Sequence, residues 1–155
     1  YTLLPNHFHL VAKMKEEALT IEHFQEVKKK KFQPLGNDIS DFIMERFSNF
    51  LNSYTKAFNK VNKRKGALFM DYLKRSKVNR SGDFTSYIWY VHKNAVHHQL
   101  IKSVGDWKYD SYKSLISDAP TALLRNEVIE WFGNKEEFIK FHGQTIDPKI
   151  DFYDI

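Results

Sequence analysis

The stretch Leu4–Ala12, LPNHFHLVA, alternates two histidines with apolar residues close to the start of the chain. In an extended strand every second side chain shares a face, so His7 and His9 lie on one side and Phe8, Leu10 and Ala12 on the other. Two imidazoles side by side make half of a metal site, because neutral ring nitrogen is a common ligand. The same alternation also serves a half-solvated sheet face, so other residues must decide between the two. A strand buried on both sides needs neighbours for its backbone groups. No strand precedes it in the sequence, and its partners are expected from later strands, a missing N-terminal part or a second copy.

The chain around it has 155 residues, 42% of them apolar, which is enough for one domain with a real core. It contains no cysteine, which excludes disulfides, thiolate metal sites and cysteine nucleophiles and suits a reducing, cytoplasmic setting. No apolar run approaches the roughly 20 residues that span a bilayer, so membrane insertion is not expected. A net charge of +5 permits a nucleic-acid partner without requiring one.

After the histidine strand, Lys13–Asp38 is polar and lysine-rich, with a run at Lys28–Lys31. It reads as a loop or short helix closed by Pro34 and Gly36. From Asp38, a potential cap together with Ser40, apolar residues recur at Ile39, Phe42, Ile43, Phe47, Phe50, Leu51, Tyr54, Phe58 and Val61. Spacing by three and four predicts an amphipathic helix whose stripe is core and covers a sheet. Cations near its end and Gly66 stop it. Alternation through Leu68–Val78 predicts a further strand. Lys63, Arg64 and Lys65, with Lys74 and Arg75, are then candidates for one positive, DNA-binding surface beside the histidines.

A second strong helix starts in NRSGDFTSYIWYVHKNAVHHQLIKSV, capped by Ser81 or Asp83. Phe84, Ile88, Val91, Ala95 and the Lys102 stem fall in one arc, which defines its buried side. Tyr90 lies nearly opposite, and Asn94 follows it at (i, i+4), so the two project as neighbours and can serve one site.

LPNHFHL resembles the histidine, hydrophobic, histidine signature of HUH endonucleases. YVHKNAVHH resembles the tyrosine helix of the REP-associated tyrosine transposases, which usually read Tyr-Ile-His-x-Asn-Pro-Val-x-x-Gly. Ala95 stands in the place of the proline and Gln99 in that of the glycine. The segment AFNKVNKRKGALF and the block GDWKYDSY are also similar to stretches of that family, and EVIEWFGNKEEFIKFH to an extension found in some members. The resemblance runs from about Leu3 to His142. It implies a ferredoxin-like α+β sandwich, incomplete at its N-terminus because the usual strand-helix-strand unit ahead of the histidines is absent. Residues 1–105 would form the catalytic domain and 106–155 a helical extension packed on it.

The resemblance further implies that His7, His9 and Asn94 hold Mg²⁺ or Mn²⁺. Tyr90 would attack single-stranded or hairpin, REP-like DNA and leave a covalent 5′-phosphotyrosine with a free 3′-hydroxyl, which can rejoin strands without ATP. The alternative is a non-catalytic, DNA-binding relative. A metal-dependent hydrolase using water would leave Tyr90 unexplained. A homodimer is possible, since strands lacking neighbours can pair with another copy. Of the other histidines, His97 borders the expected DNA face, and ligation by His92, His97 or His98 is not favoured. Trp107, Trp131, Phe132 and Phe138 read as core, and Asp106 and Glu127 as surface charges.

Overall fold

The structure is a computed structural model that describes residues 1–34, 38–69, 73–78 and 81–144, with all their side chains except those of 81–83. Among these residues the chain is mixed α+β, mostly helical, with one small two-stranded antiparallel sheet. Its contacts divide it into two compact units, residues 1–12 with 76–155, and residues 13–75.

In the first unit the sheet is a hairpin of β1 (Thr2–Leu3) and β2 (Phe8–His9), with Thr2 opposite His9 and Leu3 opposite Phe8. The continuous strand expected over 4–12 is therefore a correction: its first residues form a turn. Proline presets φ and lacks an N–H, and asparagine tolerates turn geometry, so Pro5 and Asn6 bend the chain. The turn closes where Leu4 N–H donates to the His7 carbonyl at 2.8 Å.

The histidine strand also has a preceding partner within the chain, contrary to expectation. On the far side of β1, Leu3 N–H donates to the Tyr109 carbonyl at 2.9 Å and Ser111 N–H to the Tyr1 carbonyl at 2.9 Å. Thr2 forms a bridge with Asp110, and Trp107 Nε1–H donates to the Leu3 carbonyl at 2.8 Å. These bonds cover an edge that would otherwise expose unpaired backbone groups.

Behind the hairpin runs α3 (Ser81–His97). Ile88, Val91 and Ala95 of the predicted arc are buried, as are Trp89, His92 and Asn94 outside it. The helix is thus enclosed on more than one side, and Asn94 does not lie on an open face. Its expected cap, Ser81 or Asp83, lies outside the described side chains. Around it α4 (Tyr112–Ile116), α5 (Arg125–Trp131) and α6 (Lys135–Gly143) complete a core of Ile88, Tyr112, Leu115 and Phe138, flanked by Val11, Trp131 and Phe132. Phe84 stacks on Trp131 with ring centroids 4.5 Å apart. Phe138 is core and Trp131 and Phe132 pack half-buried against it, in line with their spacing, whereas Trp107, expected to be core as well, lies outside this cluster against Leu3 and Tyr109. Gly105 takes φ +94°, a backbone conformation that favours glycine, and a Cβ there would press on the Tyr112 ring at 3.2 Å.

Helix α3 stops earlier than expected, leaving Lys102 outside it. Gln99 N–H donates to the Val96 carbonyl at 2.9 Å and Leu100 N–H to the Ala95 carbonyl at 3.0 Å. This pair of bonds is the Schellman termination, which places Gln99 in the left-handed region at φ 57°.

Three groups at the centre of this unit form a directed chain of hydrogen bonds. His142 Nδ1–H donates to the Phe138 carbonyl at 2.8 Å, which leaves Nε2 to accept from His92 Nδ1–H at 2.9 Å. His92 Nε2 then accepts from the Ser111 hydroxyl at 2.9 Å. Both imidazoles are buried and neutral. Burial holds His142 down to about 4, with the Lys93 charge adding to it and the Phe138 carbonyl opposing. Burial and the neighbouring His142 push His92 well below its ordinary value.

In the second unit, α1 (Glu17–Lys28) and α2 (Ile39–Val61) meet through Phe24, which lies edge-on to Phe42 and Phe32 at 5.2 and 5.3 Å. Asp38 caps α2 as expected, its Oδ1 accepting from Ser40 N–H at 2.6 Å. The predicted core stripe is only partly buried: Phe42 is enclosed, but Phe50, Tyr54 and Val61 are 64%, 50% and 79% exposed. At 1.5 Å per residue, α1 is about 18 Å long and α2 about 35 Å, so α1 covers only the first half. The sheet that α2 was expected to cover is not seen: the only sheet among the described residues is the short hairpin. No strand forms in the described part of Leu68–Val78, and residues 70–72 lie outside it, as does Gly36.

Replacing Gln99 with glycine should stabilise the fold by about 1 kcal/mol, because a β-carbon in the left-handed region is strained; an unchanged or lower denaturation midpoint would contradict the termination geometry. Stability should also depend on pH through His142. Its folded value of about 4 lies below the ordinary 6.5. The unfolded chain therefore takes up a proton in that window and the folded chain does not. The contribution is complete above pH 6.5 and is lost as pH falls toward 4, by about 3 kcal/mol at most. Urea titrations across the window check this, and a flat profile would refute it.

Candidate functional site

The hairpin turn and α3 bring His7, His9, Tyr90 and Asn94 together in the first unit. His7 Nε2 lies 3.3 Å from Asn94 Oδ1, across 87 residues of sequence. The His7 and His9 rings stand edge to face with centroids 5.2 Å apart, so their i, i+2 spacing pairs them as the alternation implied. His9 in turn lies edge to face with Tyr90 at 5.4 Å. Tyr90 and Asn94 are successive turns of one helical stripe, and that stripe faces the histidines.

The turn residue Asn6 sets the chemistry of His7. Its Oδ1 accepts from His7 Nδ1–H at 2.7 Å, which puts the proton on Nδ1 and leaves a lone pair on Nε2. That lone pair points at Asn94 Oδ1, another acceptor, while the buried Asn94 Nδ2 has no hydrogen-bond partner among the described residues. A cation between the oxygen and the nitrogen would resolve the two facing acceptors, while the amide N–H groups need an acceptor of their own. Turning the amide by 180° lets the two side chains satisfy each other directly instead.

His9 is held down to about 4, first by burial, then by the charges on His7 and His98, with the Asn94 side chain opposing. At neutral pH it is uncharged, and one of its ring nitrogens has a lone pair to donate to an ion. The donor set is thus two imidazoles and an amide, with no carboxylate. Such a set fits a divalent cation and leaves the ion's charge uncompensated, available to an anionic group. As the side chains stand, no three His, Cys, Asp or Glu residues among the described ones converge on a single point.

His98, whose ligation the sequence did not favour, makes a contact that went unforeseen. Its ring lies 4.9 Å from that of His7, and its position four residues after Asn94 continues the Tyr90–Asn94 stripe. The i+8 spacing from Tyr90 was the signal that could have found it. His97, expected at the DNA face, is exposed beside His98 with ring centroids 5.5 Å apart. The buried His92–His142 pair was missed as well, because a contact 50 residues apart leaves no local pattern. Lys63, Arg64, Lys65, Lys74 and Arg75 are all exposed in the other unit. Two of them are tied locally: Arg64 donates to Asn59 Oδ1 and the Ala67 carbonyl, each at 3.2 Å, and Arg75 to Ser40 Oγ at 2.9 Å. No helix among the described residues is long and apolar enough to cross a membrane.

No protein-family model, curated protein or solved structure matches this chain. The site must be read from its own chemistry.

The tautomer of His7 is a direct check on that chemistry. Long-range proton–nitrogen NMR at neutral pH should show the proton on Nδ1, and Asn6→Ala should shift the ring toward the Nε2–H form. A wild-type ring protonated on Nε2 would remove the lone pair that the site depends on.

Proposed function

We propose that the chain is a REP-associated tyrosine transposase relative, an HUH endonuclease that cleaves and rejoins single-stranded, hairpin-forming DNA through Tyr90. The observation that carries this reading is the convergence of Tyr90 and Asn94 on the two hairpin histidines, with His9 5.4 Å from Tyr90 and His7 Nε2 3.3 Å from Asn94 Oδ1. Any of the four residue types is common alone; a non-catalytic binder has no need to bring all four together. The helix end adds independent support, since Gln99 takes a positive φ where the resembled family has glycine. On this reading the hairpin and α3 belong to a ferredoxin-like core, and the protein works in the bacterial cytoplasm on nucleoid DNA.

His7, His9 and Asn94 would hold Mg²⁺ or Mn²⁺. Bound there, the ion supplies Lewis-acid polarisation of the scissile phosphate. The chain's residues do the rest. Asn6 keeps the His7 lone pair turned inward, and the neutral ligand set adds no negative charge to repel the phosphate. Tyr90 Oη forms a bond to phosphorus as the bond to the 3′-oxygen breaks. The phenolic proton leaves and the departing oxygen gains one, giving a 5′-phosphotyrosine and a free 3′-hydroxyl. Covalent catalysis of this kind divides one displacement into two and conserves the bond energy for rejoining.

Incubation with Mn²⁺ and single-stranded hairpin DNA, resolved on a denaturing gel, tests the proposal. The expected result is a covalent protein–DNA band that disappears with chelator and with Tyr90→Phe. Cleavage that persists in Tyr90→Phe without an adduct would point instead to water as nucleophile, and binding with neither product would favour a non-catalytic relative.

A further inference from the structure

We propose that His98 is a third imidazole ligand of the cation site, and that it moves the site's preference from Mg²⁺ toward first-row transition ions such as Co²⁺ and Zn²⁺. This rests on the reading of His7, His9 and Asn94 as a cation site.

The placement of His98 follows from the way α3 ends. His98 N–H donates to the Asn94 carbonyl at 2.9 Å, so the residue keeps helical register one turn beyond Asn94. The left-handed Gln99 then reverses the chain at once. His98 is therefore fixed at the helix end on the same stripe as Tyr90 and Asn94, with its ring directed to the hairpin rather than carried away by a further turn.

Ring spacing agrees with shared coordination. With a metal–nitrogen bond of about 2.0–2.1 Å, an imidazole centroid sits about 3.2 Å from the ion. Two rings on one ion are then about 4.5 Å apart at octahedral angles and about 5.2 Å apart at tetrahedral ones. The His7–His98 and His7–His9 separations are 4.9 and 5.2 Å. As the side chains stand the donor atoms do not converge, so shared coordination requires the exposed His98 ring to rotate about its side-chain bonds.

The chemical consequence is selectivity. Mg²⁺ is a hard ion that takes oxygen ligands and surrenders water reluctantly. Three imidazoles with one amide oxygen match Co²⁺ or Zn²⁺ better, and affinity for nitrogen ligands rises along the first-row series toward copper.

Titration of the full chain with Co²⁺, followed by visible absorption and calorimetry, tests this, with parallel titrations of Zn²⁺ and Mg²⁺. The wild type should bind Co²⁺ and Zn²⁺ at least about tenfold more tightly than Mg²⁺. His98→Ala should lose at least about tenfold for Co²⁺ and Zn²⁺, change the Co²⁺ spectrum, and alter Mg²⁺ affinity by less than about threefold. His7→Ala should abolish binding, and thermal unfolding confirms that each variant is folded. If His7→Ala abolishes Co²⁺ binding but His98→Ala leaves affinity and spectrum unchanged, the cation site stands and the role of His98 falls. If the wild type binds none of the three ions, both readings fall.

Discussion

The hydrogen bond between His92 Nδ1 and His142 Nε2, 2.9 Å long, joins α3 to α6 in the interior of the first unit. Its direction is forced: the Phe138 carbonyl takes the His142 proton, so His142 must accept and His92 must donate. That in turn bares His92 Nε2 for the Ser111 hydroxyl. Buried polar groups are costly unless every partner is in place, so this chain specifies one arrangement of α3, α6 and residue 111.

The candidate site depends on that arrangement at one remove. Ser111, the cap of α4, ends the segment 109–111 that is bonded along β1, and β1 pairs with β2, which carries His9. Through these backbone bonds the hairpin histidines keep their position against the Tyr90–Asn94 stripe. The same helix thus presents His92 inward to the core and Tyr90 and Asn94 toward the hairpin, which explains why α3 is enclosed on more than one side.

The second unit shows the opposite balance. Its long helix is well capped and regular, yet three of the nine residues of its apolar stripe, Phe50, Tyr54 and Val61, are exposed where the shorter helix across from it does not reach. A strong periodic pattern declares that a face is apolar; it does not supply the surface that covers the face.

Much of this protein was legible in its residues. Spacing by three and four placed both long helices, Asp38 announced a cap, the alternation at His7 and His9 paired two imidazoles, and the (i, i+4) step paired Tyr90 with Asn94. These are local relations, written within a few residues by fixed helix and strand geometry. The tertiary structure decided the rest. Pro5 and Asn6 turned an expected strand into a hairpin, backbone pairing with residues 109–111 covered its edge, and Asn94 went from an open face to burial beside His7. His98 and the His92–His142 pair acquired their neighbours only on folding, because contacts across 50 to 91 residues follow from how elements pack, which no window of sequence encodes.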